Sequence, residues 1–365
     1  MLIAVIFAIF LLALLLRLRA AVLLPEDVDE PLYLSVARDI AGFIRNFDIR
    51  SFITYAKNLE HPDFGKFLFA LALLVRDNLL SARFISVVLG SLTVLLISFR
   101  TPVGGFFLAT ELLTIQYSSE VYLDTGAVFF VLVSIIMYEM SRKNKNWFYL
   151  SGIVGGLALA TKYTSFLIFQ IIPILILADN IKSWKVGIKK IFILAAIATG
   201  VFLVVNPPFW QDAKLIHSLS FHGEFAENVS RYINFPWWYH LSLIWNSEPA
   251  AMHAGVFLID IEKIILVLGF LGFPLLLYRK RMMESLWFAF SLVFLAAWPV
   301  KWPWYTMIFT PALAMSGGFL IEDLARFGYR SIKKYSNRIR TVFSNVIRKI
   351  RGKLNFPTSN AVCFE

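Results

Sequence analysis

The sequence predicts an all-α, polytopic transmembrane helical bundle of about ten spans, with interfacial helices in a long first external loop. Three observations carry this. Of the 365 residues 58% are hydrophobic and only 16% charged, where a soluble domain carries about a quarter. The apolar residues come in long unbroken blocks with no polar face, and mean hydropathy is +0.69. Finally, the basic residues gather in one set of short loops and the acids in the opposite set.

Orientation follows the Lys/Arg bias of short loops. The stretches 141–145, 180–190 and 278–281 and the C-terminal tail are all basic. Placing them inside gives a consistent path. A first span over 2–24 runs outward into a long external segment, 25–80. Spans at 82–99 and 103–117 follow, then a short external turn at 118–124 and a fourth span ending near 140. Spans at 148–162 and 164–179 form a hairpin whose external turn holds Lys162. A seventh, 191–206, leads to a second external loop, 207–254. Spans at 255–277, 286–300 and 304–324 complete the path, with Lys301 in the last external turn. The apolar stretch 64–76 is too short to cross about 30 Å of hydrocarbon and reads as an interfacial helix. Counting it as a span would put the basic 141–145 loop outside. Arg17 and Arg19, near the outer end of the first span, read as snorkelling to head groups or facing a bound phosphate.

Residues 1–325 therefore read as one transmembrane module and 326–365 as a cytoplasmic tail with ten Lys/Arg and one acid. In the tail Ile332, Tyr335, Ile339, Phe343, Val346 and Ile350 recur at three- and four-residue steps, a basic amphipathic helix suited to an anionic inner leaflet. That accounts for the net charge of +11 without nucleic acid. The single cysteine, Cys363, excludes an internal disulfide or a cysteine metal site, and no glycine-rich nucleotide loop is present.

The chemistry-bearing residues lie on the external side. The first loop holds eight acids between 25 and 66: Glu26, Asp27, Asp29, Glu30, Asp39, Asp48, Glu60 and Asp63. Asp29 and Glu30 precede a helix expected over 31–43. They serve either its N-terminal dipole or, functionally, as carboxylates able to take a proton from an attacking hydroxyl. His61, Pro62, Gly65 and Lys66 cluster at the start of the interfacial helix, where Lys66 offers a point charge to a phosphate. Asp124 opens the fourth span and reads as a helix cap or a site acid. Lys301 sits among Trp298, Trp302, Trp304 and Tyr305, an aromatic belt with a snorkelling lysine or a phosphate site. In the second loop Trp238, Tyr239 and His240 are interfacial anchors or a surface on which a sugar stacks, and Asn228-Val229-Ser230 is a glycosylation sequon.

Taken in order, these pieces resemble the GT-C membrane glycosyltransferases, in particular the protein O-mannosyltransferase and aminoarabinose-transferase-like branch, over roughly residues 1–325. The residues that carry the resemblance are Asp29-Glu30-x-x-Tyr33 with Ala37-Arg38, and His61-Pro62-x-x-Gly65-Lys66. Ala82-Arg83-Phe84-Ile85-Ser86, Tyr122-Leu123-Asp124-Thr125 and Gly156 to Thr164 follow, then Asn206-Pro207, Trp237-Trp238-Tyr239 and Lys301 to Tyr305. The resemblance implies an inverting transferase that takes a hexose, mannose in the nearest branch, from a polyprenyl- or dolichyl-phosphate donor. The acceptor would be a hydroxyl of protein, glycan or lipid. It implies Asp29 as general base supported by Glu30, and Lys66, Lys162 and Lys301 on the donor phosphate. His61, Asp124, Trp238, Tyr239 and Tyr305 would line the substrates, and that branch is generally treated as needing no metal or other cofactor. Two positions depart from the family: Ser119 stands where an arginine is common, and Asp63 replaces a second proline after His-Pro. The rival class is a flippase or transporter for polyprenyl-linked solutes, whose internal repeats and mid-membrane helix breaks the sequence does not display.

Overall fold

The computed structural model describes residues 1–353 except 56, 59, 234, 247 and 248, and leaves aside the side chains of 212–215, 219, 222, 230, 334–339, 342, 343, 346 and 348–353. The described chain is helical throughout. Its helices are α1 Leu2–Leu23, α2 Glu30–Arg45, α3 Ile49–Thr54, α4 Phe64–Val75, α5 Leu79–Arg100 and α6 Pro102–Thr110. Next come α7 Leu112–Tyr117, α8 Leu123–Ser141, α9 Asn146–Thr161, α10 Ser165–Phe169, α11 Ile171–Asp179 and α12 Trp184–Val205. The series ends with α13 Asp212–Tyr232, α14 Tyr239–Asn246, α15 Ala250–His253, α16 Glu262–Tyr278, α17 Met282–Ala297 and α18 Thr310–Lys353. The chain divides into Met1–Leu320, the bundle, and Ile321–Glu365.

Among the described residues four helical stretches are long and apolar enough to cross a bilayer singly: Leu2–Leu23, Leu79–Arg100, Leu123–Ser141 and Ile181–Val205. Other expected spans are shorter or broken. The expected single helix over 103–117 is interrupted at Glu111, and the one over 164–179 at Gln170. Breaking a helix inside the bundle frees backbone N–H groups that must find partners where water is scarce. At Glu111 they do. Its own carboxylate accepts from the Thr114 amide at 2.6 Å, and the carboxylate of Glu262 accepts from the Leu112 amide at 2.6 Å. The expected last span begins as a 3-10 turn, Pro303–Ile308, ahead of α18, with Pro303 in its first turn where a missing N–H costs nothing. The expected interfacial helix is α4, packed against α2, α5 and α9.

Close helix pairs rest on small residues, as in other membrane bundles. A Cβ at Gly156 would lie 2.6 Å from the Ala198 carbonyl oxygen, so α9 and α12 approach to backbone contact only because that position is glycine. Arg17 departs from expectation. It is fully buried, donating from Nε to Ser118 Oγ at 2.7 Å and from Nη2 to the Leu108 carbonyl at 3.2 Å. Its guanidinium therefore ties α1 to α6 and to the 118–122 loop, and neither snorkels nor meets a phosphate; Arg19 is exposed.

Charges separate to the two ends of the bundle. At one end Arg100 pairs with Glu139 and, at 2.9 Å, with Glu284, while Arg142 pairs with Asp179 at 2.9 Å. This joins the C-terminal ends of α5, α8 and α11 to the start of α17, as the alternation of basic loops requires. The other end gathers Asp29, Glu30, Asp63, Lys66, Arg83, Asp124, Lys162 and Lys301.

The second unit carries exposed Leu324, Phe327, Tyr329 and Ile332, and an exposed Arg326 paired with Glu322 and Asp323. The side chains of the other residues of its expected apolar stripe, Tyr335, Ile339, Phe343, Val346 and Ile350, are among those left aside, and Cys363 lies outside the described residues.

Candidate active site

Asp29 stands at the N-cap position of α2, yet its side chain makes no capping bond. The dipole role expected of the acidic pair is therefore left to Glu30 in the first turn. The Asp29 carboxyl is half-buried, and among the described residues it has no hydrogen-bond or ion-pair partner. Burial raises it above the ordinary aspartate value, against the pull of Lys162, with Asp124, Asp27 and Glu60 adding to the rise. A carboxylate that is partly desolvated and unpaired, with its affinity for a proton raised, is suited to accept one.

Glu30 is the opposite case. It is fully buried and accepts from Arg83 Nε at 2.9 Å, from the Val121 amide at 2.7 Å and from the Asp27 amide at 3.1 Å. Arg83 Nη2 closes a bidentate pair with it, the strong planar form of this contact. The same guanidinium donates to the carbonyls of Ala21 at 2.9 Å, Leu24 at 2.7 Å and Pro25 at 2.7 Å. Four segments thus meet at one ion pair: the end of α1, the turn before α2, the first turn of α5 and the loop before α8. Glu30 has no free oxygen for substrate, and it fixes the backbone that carries Asp29.

Asp27 accepts from the Tyr122 hydroxyl at 2.8 Å. Beside it Glu120 is buried, and burial, reinforced by Asp27 and Glu30, pushes it up to about 9. It is a neutral acid at pH 7.

Asp124 opens α8 and does not cap it; its carboxylate takes Lys162 Nζ at 2.6 Å. Lys162 also lies 5.2 Å from the centre of the Tyr305 ring, a cation–π contact. These two residues form the polar end of a cavity of about 690 Å³. Its remaining wall is largely apolar, with Leu159, Phe166, Leu167, Phe202 and Phe294 among the lining, and His61 also lines it. An apolar chamber of this size between helices, with a lysine in its wall, has the form expected for a long-chain lipid with an anionic head.

The remaining lysines are placed differently. Lys66 is fully buried and does not line the cavity. It pairs with Asp63 at 2.7 Å and donates to the carbonyls of Asn58 at 2.9 Å and His61 at 2.8 Å. With Asn58 Oδ1 at 3.3 Å as well, its three N–H groups are shared among four protein oxygens, so Lys66 holds the 58–63 loop. Asn206 completes that anchor, its side-chain oxygen accepting from the amides of Asp63 at 2.7 Å and Phe64 at 3.1 Å. Lys301 is buried at the end of α17, where it donates to the carbonyls of Leu295 and, at 3.1 Å, Ala296. Burial lowers its pKa. His240 lies 3.2 Å from the carbonyls of both Leu295 and Trp302. Burial outweighs the upward pull of those carbonyls and lowers its pKa to about 4. Trp238 is half exposed and Tyr239 packs on Phe235 at 4.6 Å; neither lines the cavity.

Asp29, Asp124, Lys162, Tyr305 and His61 are thus gathered at one centre, while Lys66, Lys301, Trp238 and Tyr239 surround it at a remove. Sequence reasoning assigned no role to the Arg83 and Asn206 side chains. Both fall inside stretches that carry the resemblance, and a lone arginine just inside an apolar span was the signal available.

No family model matches the sequence, and no curated protein matches it. Among solved structures the chain is similar to ArnT from Cupriavidus metallidurans bound to undecaprenyl phosphate, with a TM-score of 0.56 and 17% identity over 88% of this chain and 59% of that one. It is also similar to the archaeal oligosaccharyltransferase AglB from Archaeoglobus fulgidus in complex with an inhibitory peptide and a dolichol-phosphate, with a TM-score of 0.53 and 15% identity over 94% of this chain and 54% of that one. The chain has the GT-C fold. It spans between about half and three fifths of the length of these structures.

Proposed function

We propose that this chain is an inverting membrane glycosyltransferase that moves a sugar from a polyprenyl-phosphate donor to a hydroxyl acceptor at the external face. The observation that carries the reading is the apolar cavity ending at Lys162, with an unpaired, half-buried Asp29 within electrostatic reach of that lysine. The lipid occupies the cavity and its phosphate meets Lys162, the one lysine of the three candidates that faces it. The acceptor hydroxyl attacks the anomeric carbon from the side opposite the phosphate and gives its proton to the Asp29 carboxylate. The new carbon–oxygen bond forms as the bond to the phosphate oxygen breaks, and the polyprenyl phosphate leaves with the electron pair. Lys162 stabilises the charge that grows on it, the contribution that most lowers such barriers.

Glu30, Lys66, Asn206 and Lys301 act through position, holding the segments that carry or flank Asp29. Among lipid-linked sugars mannose is the first to test, since the sequence resembles the O-mannosyltransferase branch. The external orientation rests on the basic loops, which belong to the inner face. The gathering of Asp29, Asp124 and Lys162 at one end of the bundle favours transfer over transport.

The test is to incubate membranes containing the protein with radiolabelled polyprenyl-phosphate sugars and to separate lipid, glycan and protein fractions. Label is expected to enter an acceptor fraction with the normal chain and not with Asp29→Asn. Near-normal transfer by that variant refutes the assignment of the base.

A further inference from the structure

An in-line displacement fixes where the sugar must lie: between the leaving phosphate and the base. The phosphate end is marked by Lys162 over the Tyr305 ring, and the base end by Asp29 with the Asp27–Tyr122 pair beside it. One side chain bridges these two marks. The Trp304 indole lies 5.2 Å from the Tyr122 ring on one side and 6.3 Å from Tyr305 on the other. It is partly exposed. Behind it Trp302 stacks nearly parallel, with centroids 5.5 Å apart and planes 17° from one another, and Tyr117 meets it edge-on at 6.3 Å. The ring is therefore packed against four other aromatics.

Pro303, between the two tryptophans, opens the 3-10 turn Pro303–Ile308. Proline fixes its own φ, which keeps the turn that presents Trp304 stiff. The turn is anchored at its far end, where Trp287 Nε1 and Ser291 Oγ both donate to the Ile308 carbonyl, at 2.8 Å and 3.0 Å. An indole backed in this way offers a flat, electron-rich face whose negative quadrupole attracts the weakly positive C–H groups on one face of a pyranose.

We propose that Trp304, backed by Trp302, is the platform on which the donor's sugar ring stacks, and that it determines preference for the sugar over the bare lipid phosphate. This rests on the transferase reading given above. It also moves the sugar contact from Trp238 and Tyr239 to Trp304, which like them lies outside the cavity wall but packs against both Tyr305 and Tyr122. The ring is aligned by the platform for attack at its anomeric carbon, while Lys162 and the cavity hold the rest of the donor.

The test compares Trp304→Leu, Trp304→Phe and the normal protein. Leucine keeps apolar bulk without an aromatic face, and phenylalanine keeps a smaller face. Two quantities are read: KM for a radiolabelled polyprenyl-phosphate sugar, and the inhibition constant of the same polyprenyl phosphate without sugar. Trp304→Leu is expected to raise KM about tenfold, which is about 1.4 kcal/mol of lost stacking, and Trp304→Phe to recover much of it. The inhibition constant of the sugar-free lipid is expected to stay within about twofold in all three, because it has nothing to stack. An unchanged KM in Trp304→Leu overturns the platform and leaves the transferase intact. An equal rise in both constants also overturns it, since the indole would then act on the lipid site as a whole. Absence of transfer by the normal protein from every lipid-linked sugar overturns the transferase reading and the platform with it.

Discussion

Replacing Glu30 by glutamine tests how the Asp29 backbone is held. The carboxylate receives four donated hydrogen bonds, two from Arg83 and one each from the amides of Val121 and Asp27. An amide group at this site presents two N–H donors toward donors that already point inward, and it leaves a guanidinium 1% exposed without its counter-charge. Breaking a buried pair from one side costs about 3–5 kcal/mol. Arg83→Met should cost a similar amount, because it strands the Glu30 anion and the carbonyls of Ala21, Leu24 and Pro25. Removing both charges, as in Glu30→Gln with Arg83→Met, leaves no buried charge unpaired. The double variant should fall short of the sum of the singles by about 2 kcal/mol or more, within the range of coupling seen for contacting residues. Unfolding by SDS in mixed micelles, followed by tryptophan fluorescence, measures all three. If Glu30→Gln stays within about 0.5 kcal/mol of the normal protein, the size of a neutral surface change, the clamp does not exist as described.

Two further outcomes concern the charged centre. Burial raises Asp29 above 3.8 in the folded protein, so transfer should fall as pH drops through that raised value, and Asp29→Asn should lose both the transfer and this acid limb. The folded state binds the Asp29 proton more tightly than the unfolded chain, so its stabilising contribution is complete below 3.8 and is lost as pH rises through the folded value. Asp29→Asn should therefore be neutral or slightly stabilising at pH 7, with the gain vanishing in acid. Lys162→Met should slow transfer by about a hundredfold or more, the effect of removing one group that stabilises developing charge. Because Lys162 holds Asp29 down, the acid limb of its residual activity should also move to higher pH; a limb that stays in place separates the two residues.

Much of this arrangement was legible because a membrane imposes few, strong constraints. Apolar block length and the placement of Lys/Arg gave the bundle, the loops and the end at which acids gather. The breaks at Glu111 and Gln170 were not legible. They depend on partners far along the chain, such as the Glu262 carboxylate that satisfies the Leu112 amide 150 residues away, and apolar periodicity carries no trace of such a partner. The lysines make the same point. Lys66, Lys162 and Lys301 look alike in sequence, each at a helix end among aromatics. Only packing separates them: Lys66 and Lys301 spend their N–H groups on protein oxygens outside the cavity, whereas Lys162 pairs with Asp124 and lines the apolar cavity. Which cation is available to a substrate depends on competition among nearby acceptors, and that is a property of the fold.

The same competition explains why the adjacent acids Asp29 and Glu30 differ in role. Successive residues at a helix start point in different directions. Here one faces the junction of four segments and the other the half-buried space near Lys162. The residue facing the junction is saturated by four donated hydrogen bonds, two from Arg83 and one each from the amides of Val121 and Asp27, while Arg83 spends its other three on the carbonyls of Ala21, Leu24 and Pro25. Its rigidity is what permits the other to stay unpaired without a loop collapsing onto it. An unpaired, partly desolvated carboxylate costs stability, and it persists only where surrounding structure holds it in place. The Glu30–Arg83 clamp supplies that support, so the most buried ion pair of this end and its most available carboxylate are two halves of one arrangement.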